Sequence, residues 1–444
     1  MELRGSANWR KPRARGRLWW HHAVLCVGGT LVGGVATLYA WLIDIGHQLF
    51  LAASAHGPWV TLLLSPALGA LAVWLTHRYF DGAEGSGIPQ IVAIVSGGNG
   101  TAKRRLLRPA VIVGKIGLSF LGTLGGFTLG RQGPTVHIGA ALLVSLRRWL
   151  PGLSGPAGAH LTALDRQLAL AGASAGLSAA FCTPLAGIAF AIEELARGIP
   201  PRGSAALIAV VVCAGTVAGV LQGEGPALGM IAAGPSAPYR MAVAVVTAGA
   251  VAGLAGAGFC WLLVHSERWL PPRIRGLRAQ RPAMFGALCG LGVALLGLAS
   301  SGTSHGSGYG ETRALLAGDL VLPAAYPFLK GLSLLLTWLS GIPGGLFVPS
   351  LAIGAGIGNL LQYTIGQAPL PVYAALAMCG YLAAVTQRPV TAFVVMIELV
   401  GARGLTIPLM ATALIAAGVS RMAVPPLYGA LSGRYAPATA TGRM

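Results

Sequence analysis

Charge is what this chain has least of. Only 10% of its 444 residues are charged, and acids number 12 against 31 lysines and arginines. An average soluble domain carries about 25% charged residues, so the composition excludes an ordinary soluble fold. Metal-ligand spacing is also missing. The nine histidines contain no H-E-x-x-H pattern. The six cysteines, Cys26, Cys182, Cys213, Cys260, Cys289 and Cys379, lie in apolar surroundings and read as small packing residues. No metal and no cofactor is therefore expected. An enzyme would need a nucleophile with its base, or a metal cluster, at membrane depth. A polytopic membrane enzyme is thus a distant alternative, and a membrane scaffold or receptor would leave the broken segments described below without a purpose. A regulatory soluble domain is not expected, because only about a dozen residues follow the last motif, against the ~50 or more that a domain needs.

What the chain does have is apolar length. It is 55% hydrophobic, with mean hydropathy +0.70 and 66 glycines. This is the composition of an all-α polytopic membrane protein with closely packed and broken helices. The net charge of +19 sits in short segments flanking apolar runs, which points to the lipid bilayer and away from nucleic acid as partner. Arg4, Arg10, Lys11, Arg13, Arg15 and Arg17 precede the first apolar run. The positive-inside rule places this basic tail, 1–18, in the cytoplasm, together with the clusters at 103–108 and 268–281. The run at 23–51 is too long for a signal-peptide core and is expected to persist as a helix. Runs at 59–80, 205–221, 241–265 and 283–300 have about the 20 residues that a span needs.

Other apolar segments are too short to cross. A helix of ~10–16 residues reaches about 15–24 Å, against a hydrocarbon core of ~30 Å. Gly and Pro interrupt these segments, as in half-helices that meet near the midplane. Their exposed backbone ends must be buried in protein or line a watery cavity. The stretch 130–140, GRQGPTVHIGA, is the sharpest case. Gly130 and Gly133 permit a tight turn, and Pro134 suits the first turn of a helix. The free N–H groups and partial positive charge at such a start attract anions. The plain alternative is a Gly/Pro break between two ordinary membrane helices.

An internal repeat favours the half-helix reading. Lys115 precedes Pro134 by nineteen residues, and Lys330 precedes Pro349 by the same number. PTVHIGA at 134–140 matches PSLAIGA at 349–355 at Pro, Ile, Gly and Ala. Pro184 precedes Glu193 by nine residues, as Pro389 precedes Glu398, and Gly-Ser-Gly at 85–87 recurs at 306–308. The shared order, with offsets of 205 to 221, predicts two halves, roughly 19–222 and 240–432. They make up a membrane domain at 19–432, followed by a short tail at 433–444.

GSGIPQ (85–90), GRQGPT (130–135), AFCTPLAGIAFAIEEL (180–195), GGLFVP (344–349) and PPLY (425–428) occur in an order that resembles the CLC family of chloride channels and chloride/proton antiporters. The resemblance runs from about 19 to 431 and is to prokaryotic-type members without C-terminal regulatory domains. It implies the CLC-type fold of two inverted structural repeats, a homodimer with one pore per subunit, and residence in a bacterial inner (plasma) membrane. It also implies anion sites where helix N-termini converge. Ser86 and Tyr428 match the residues whose hydroxyls meet the central chloride ion. Leu346 and Phe347 match positions whose backbone N–H groups face the ion. Arg131, Gly133 and Pro134 match the helix start on the outer side. Such ligands hold chloride without a full positive charge, so the ion can still leave. Without the resemblance, Ser86 reads as an ordinary helix cap and Tyr428 as an interfacial anchor. The serine at 86 suggests chloride, where nitrate-preferring relatives carry proline, and the intact GSGIP motif favours chloride over fluoride.

Glu193 and Glu194 are adjacent acids at the end of an apolar segment. They mark an ion or proton path, or else are two solvated acids at a helix end. Glu194 matches the family's internal proton-transfer glutamate. Lys115 either pairs with an acid or snorkels to the interface. Glu398 reads as structural, and His137 as a packing or hydrogen-bonding residue. The decisive departure is at 132, where the family motif Gly-Arg-Glu-Gly-Pro carries its external gate. Gln132 stands there instead. An amide cannot ionise near neutral pH, so it should mimic the protonated, open gate and carry no proton. The expected function is passive chloride movement, by a channel or an uncoupled uniporter. The retained Glu194 keeps a chloride/proton antiporter as the alternative, with another acid as gate. Glu84 is the nearest carboxylate to the serine motif in sequence.

Overall fold

The computed structural model describes residues 12–96, 104–150, 161–195, 204–223, 225–231, 237–401 and 404–435. Arg4, Arg10, Lys11, Lys103 and the residues beyond 435 lie outside these, as do the side chains of Arg13, Arg15 and Arg17. Helices dominate. The first eight are α1 (Pro12–Ser54), α2 (Pro58–Tyr79), α3 (Ile88–Val95), α4 (Pro109–Leu124), α5 (Gln132–Ser145), α6 (Ala163–Phe181), α7 (Pro184–Phe190) and α8 (Ser204–Gln222). There follow α9 (Pro238–Val264), then α10 (Ser266–Trp269) and α11 (Pro272–Gln280), which form a connection. The rest are α12 (Pro282–Ala299), α13 (Tyr309–Ala317), α14 (Tyr326–Ser340), α15 (Phe347–Ile365), α16 (Leu370–Thr386), α17 (Pro389–Val400), α18 (Thr406–Ala423) and α19 (Leu427–Ser432).

Six of these helices, α1, α2, α8, α9, α12 and α18, are long and apolar enough to cross a membrane. The protein is a multi-pass membrane protein. Large apolar side chains such as Leu63, Trp74, Val220, Leu254 and Leu414 point outward from them, as lipid-facing residues do. The shorter helices are those punctuated by Gly and Pro. α3 starts after Gly87, which has φ 94 as a left-handed cap, and carries a proline in its first turn. α7 and α17 each begin with a proline two residues after a left-handed, non-glycine residue: Cys182 (φ 56) and Gln387 (φ 55). α5 stops at Ser145 and tightens into a 3₁₀ turn over Leu146–Trp149.

Helix order repeats along the chain. A long helix, a second span, a short Gly-Ser-Gly-capped helix and a lysine-bearing helix lead to a broken helix at Gln132 in the first half and at Phe347 in the second. The two series meet back to back, as two inverted halves do. α2 packs on α12, α7 on α17, and the turn before α5 on the turn before α15. The densest core is α16, where every residue from Val372 to Thr386 is buried. Glycine sets how close the helices come. A Cβ on Gly358 would lie 2.5 Å from the Ala374 Cα and the Tyr373 carbonyl oxygen, so α15 and α16 touch backbone to backbone.

Candidate functional site

Gly130 and Gly345 hold the site together. The Gly130 N–H donates to the Gly345 carbonyl at 2.9 Å, and the Gly345 N–H returns a bond at 2.6 Å. This is the one β pairing among the described residues. It pins the turn leading into α5 to the turn leading into α15, so the two helix starts face each other. A Cβ on Gly133 would sit 2.6 Å from the Ser86 carbonyl oxygen and 3.0 Å from the Gly345 Cα. The turn before α3 therefore lies against both. Arg131 is the N-cap of α5, with Gln132, Gly133 and Pro134 filling its first turn. Leu346 is the N-cap of α15 and Phe347 its first residue, both buried. Their N–H groups are among those a helix leaves unpaired at its start.

Ser86 is not the cap of α3, since Gly87 is. The Ser86 hydroxyl accepts from the Ile88 N–H at 3.3 Å and is buried next to Gly133. α19 packs on α3 and brings in Tyr428. The Tyr428 ring stacks on Phe347, with centroids 6.4 Å apart and planes 8° from parallel. Tyr428 is only 1% exposed, so it does not act as an interfacial anchor. Its hydroxyl has no hydrogen-bond partner among the described residues. A buried phenol without a partner carries a desolvation cost that a ligand would relieve. The structure thus brings together Ser86, Arg131, Gln132, Gly133, Pro134, Leu346, Phe347 and Tyr428 from four helix starts.

Gln132 is 1% exposed, and its Oε1 accepts no hydrogen bond among the described residues. It lies beside Gly130, where an added Cβ would be 3.1 Å from that oxygen. Gln132 also borders a cavity of about 250 Å³ lined by Trp41, Asp44, Arg131, Gln222 and Tyr309. In this cavity the Arg131 guanidinium stands 3.7 Å from the Asp44 carboxylate. Sequence reasoning missed Asp44. An acid inside the first apolar run was the signal available.

Both halves use a buried lysine in the same way. Lys115 Nζ donates to the carbonyls of Ala83 and Gly85, at 3.0 and 2.9 Å. Lys330 Nζ donates to the carbonyls of Ser304, His305 and Gly306, at 3.1, 2.8 and 3.0 Å. Each clamps the loop that leads into its half's Gly-Ser-Gly turn. Lys115 neither hydrogen-bonds an acid nor snorkels. It is fully buried, and carbonyl oxygens satisfy it. His137 likewise makes one hydrogen bond, from Nε2 to the Leu106 carbonyl at 2.7 Å. The Glu84 carboxylate faces Tyr435.

Both paired acids are engaged by the protein. Glu193 accepts from the Val390 and Thr391 N–H groups at 3.2 and 2.7 Å, at the start of α17. Glu194 is buried and ion-paired with Arg388 Nε. Arg388 was another residue missed. It stands next to Pro389, and only folding brings it across from Glu194. Glu398 is structural, as its residue type and position suggest. It accepts from the Leu185 and Ala186 N–H groups at 3.2 and 2.7 Å.

A family model described as "Voltage gated chloride channel" matches residues 68–421. Among solved structures, the chain is similar to a slow cyanobacterial Cl⁻/H⁺ antiporter (24% identity, TM-score 0.75, 94% of this chain and 97% of that one). It is also similar to a CLC-type fluoride/proton antiporter (22%, 0.72, 90% and 95%). A third is a eukaryotic CLC transporter (22%, 0.73, 93% and 74%). At these identities the likeness is one of fold.

Proposed function

This chain belongs to the voltage gated chloride channel family, and on that premise we propose that it moves chloride passively across a bilayer, as a channel or an uncoupled uniporter. The observation that carries the passive reading is Gln132. It stands at the first turn of α5, buried beside the Gly130–Gly345 pair, where the family resemblance puts an ionisable gate. An amide cannot ionise there, compete with chloride as an anion, or carry a proton. Chloride passes between the starts of α3, α5, α15 and α19. Ser86 and Tyr428 offer hydroxyls, Leu346 and Phe347 offer N–H groups, and Arg131 lines the cavity beside Gln132. Tyr428, buried with no partner for its hydroxyl among the described residues, supports this placement. Glu194 is engaged by Arg388, which suits a structural role better than proton transfer.

The working unit in this reading is a homodimer with one pore per subunit in a bacterial inner membrane, its N-terminus cytoplasmic. A coupled chloride/proton antiporter is the second reading, and Asp44 favours it. Its carboxylate shares the cavity of Arg131 and Gln132 and is a better placed substitute gate than Glu84. The test is chloride efflux from liposomes holding the purified protein, with external pH recorded at the same time. Chloride flux without linked proton movement is expected. Chloride-driven proton pumping would overturn the passive reading, and absence of anion flux would overturn transport itself.

A further inference from the structure

We propose that the connection between α9 and α12 is a binding site for the headgroups of anionic phospholipids, whose far wall is the C-terminal end of α19. The inference concerns a surface away from the ion path and holds whichever ion the protein carries.

Position comes first. α9 ends at Val264 and α12 starts at Pro282, and both are membrane spans. The segment between them starts and finishes where two spans leave the bilayer, which brings its ends to headgroup level. It holds five arginines, Arg268, Arg273, Arg275, Arg278 and Arg281, against one acid, Glu267. Arg268, Arg273, Arg275 and Arg281 are exposed. Ile274 is 39% exposed on the same short helix, and Leu277 packs on the protein core. A short basic helix joined at both ends to membrane spans presents its arginines to anionic headgroups.

A second chain segment adds a sixth arginine. Arg434, two residues past α19, donates from Nη2 to the Ser266 hydroxyl at 3.4 Å and lies over the Trp338 ring. It is close enough to Arg278 for the two guanidiniums to repel. Glu267 stands 3.5 Å from Arg278 and is itself 60% exposed, and Glu84 reaches Tyr435, the residue after Arg434. Two acids against six arginines leave the cluster with excess positive charge. A phosphodiester fits this deficit. It is anionic, it accepts bidentate guanidinium bonds, and the bilayer presents it at this depth. The same contacts tie the lipid site to α19, the helix that carries Tyr428.

The experiment uses full-length protein in a neutral detergent. Binding of headgroup-labelled phosphatidylglycerol is measured against phosphatidylcholine, together with the thermal unfolding midpoint. Wild type should bind phosphatidylglycerol preferentially and melt higher in its presence. Each exposed arginine is expected to contribute about fivefold, so Arg273→Gln/Arg275→Gln/Arg281→Gln together should weaken that binding on the order of 100-fold. The variant should also lose the melting shift while melting like wild type without lipid. The triple Arg→Lys variant keeps the charge and should retain most of the binding. Equal affinity of wild type for the two lipids, or unchanged phosphatidylglycerol binding in the glutamine variant, would overturn the proposal. Neither readout involves chloride, so a failure here is separate from a failure of the transport reading.

Discussion

Glu193 and Glu398 cap each other's helices. Glu193, in the π-helical turn that follows α7, closes the start of α17, and Glu398, near the end of α17, closes the start of α7. Each carboxylate takes two backbone N–H groups that a helix start leaves unpaired, and each adds a favourable charge at the positive end of a dipole. The reciprocity follows from a two-fold relation between the halves. What one half does to the other, the other returns.

Breaking either cap should therefore destabilise the protein by a similar amount. Glu193→Ala and Glu398→Ala are each expected to cost about 2 kcal/mol, the range for hydrogen bonds to a charged group. Denaturant unfolding in detergent measures it. A large asymmetry between the two variants would contradict the reciprocal arrangement.

A carboxylate placed at 132, the proposed gate position, should introduce a proton step. Gln132→Glu is expected to slow chloride efflux near neutral pH, because the ionised side chain competes with chloride, and to speed it as pH falls and the side chain protonates. Proton movement linked to chloride should appear in the same recording. Efflux that is as fast as wild type and independent of pH would place the control of this pathway elsewhere.

Tyr428→Phe removes only a hydroxyl that has no protein partner among the described residues. Stability should hold, or rise slightly, since no internal hydrogen bond is lost. Chloride affinity, read by calorimetric titration, should fall about tenfold, the value of one hydrogen bond to an ion. Unchanged affinity would remove Tyr428 from the anion site.

Lys115→Met keeps the length of the side chain and strands the carbonyls of Ala83 and Gly85. A loss of about 2 kcal/mol or more is expected. Chloride affinity should weaken with it, because the clamped loop carries Ser86. Lys330→Met should cost stability comparably with a smaller effect on affinity, since the loop it clamps leads into α13 and carries no proposed chloride ligand.

Gly345→Ala would bring a Cβ to 2.6 Å from the Gly133 nitrogen and 2.9 Å from the Gly130 carbonyl oxygen. Both neighbours are backbone and cannot swing aside. The variant should lose chloride flux before it loses its helices. The checks are liposome efflux alongside far-ultraviolet circular dichroism.

The sequence by itself determined the class of protein and pointed to the residues of its proposed site. Long apolar helices need no partner to declare themselves, because hydrophobic length and scarce charge are local properties. Pro134 and Pro349 likewise mark helix starts locally, since a fixed φ and a missing N–H act at one residue, whereas Gly130 and Gly345 serve the close backbone contact between them. The repeat was legible as matched spacing of Lys115 with Pro134 and Lys330 with Pro349. Only the tertiary structure decided what those residues touch. Lys115 could not be known to end on carbonyls, because its partners lie 32 and 30 residues away. Arg388 meets Glu194 across 194 residues, and Arg434 meets Ser266 across 168. Charge at membrane depth must find a partner, and that demand is visible in one residue. Which partner satisfies it depends on how the halves fold back on each other, and no local spacing encodes that.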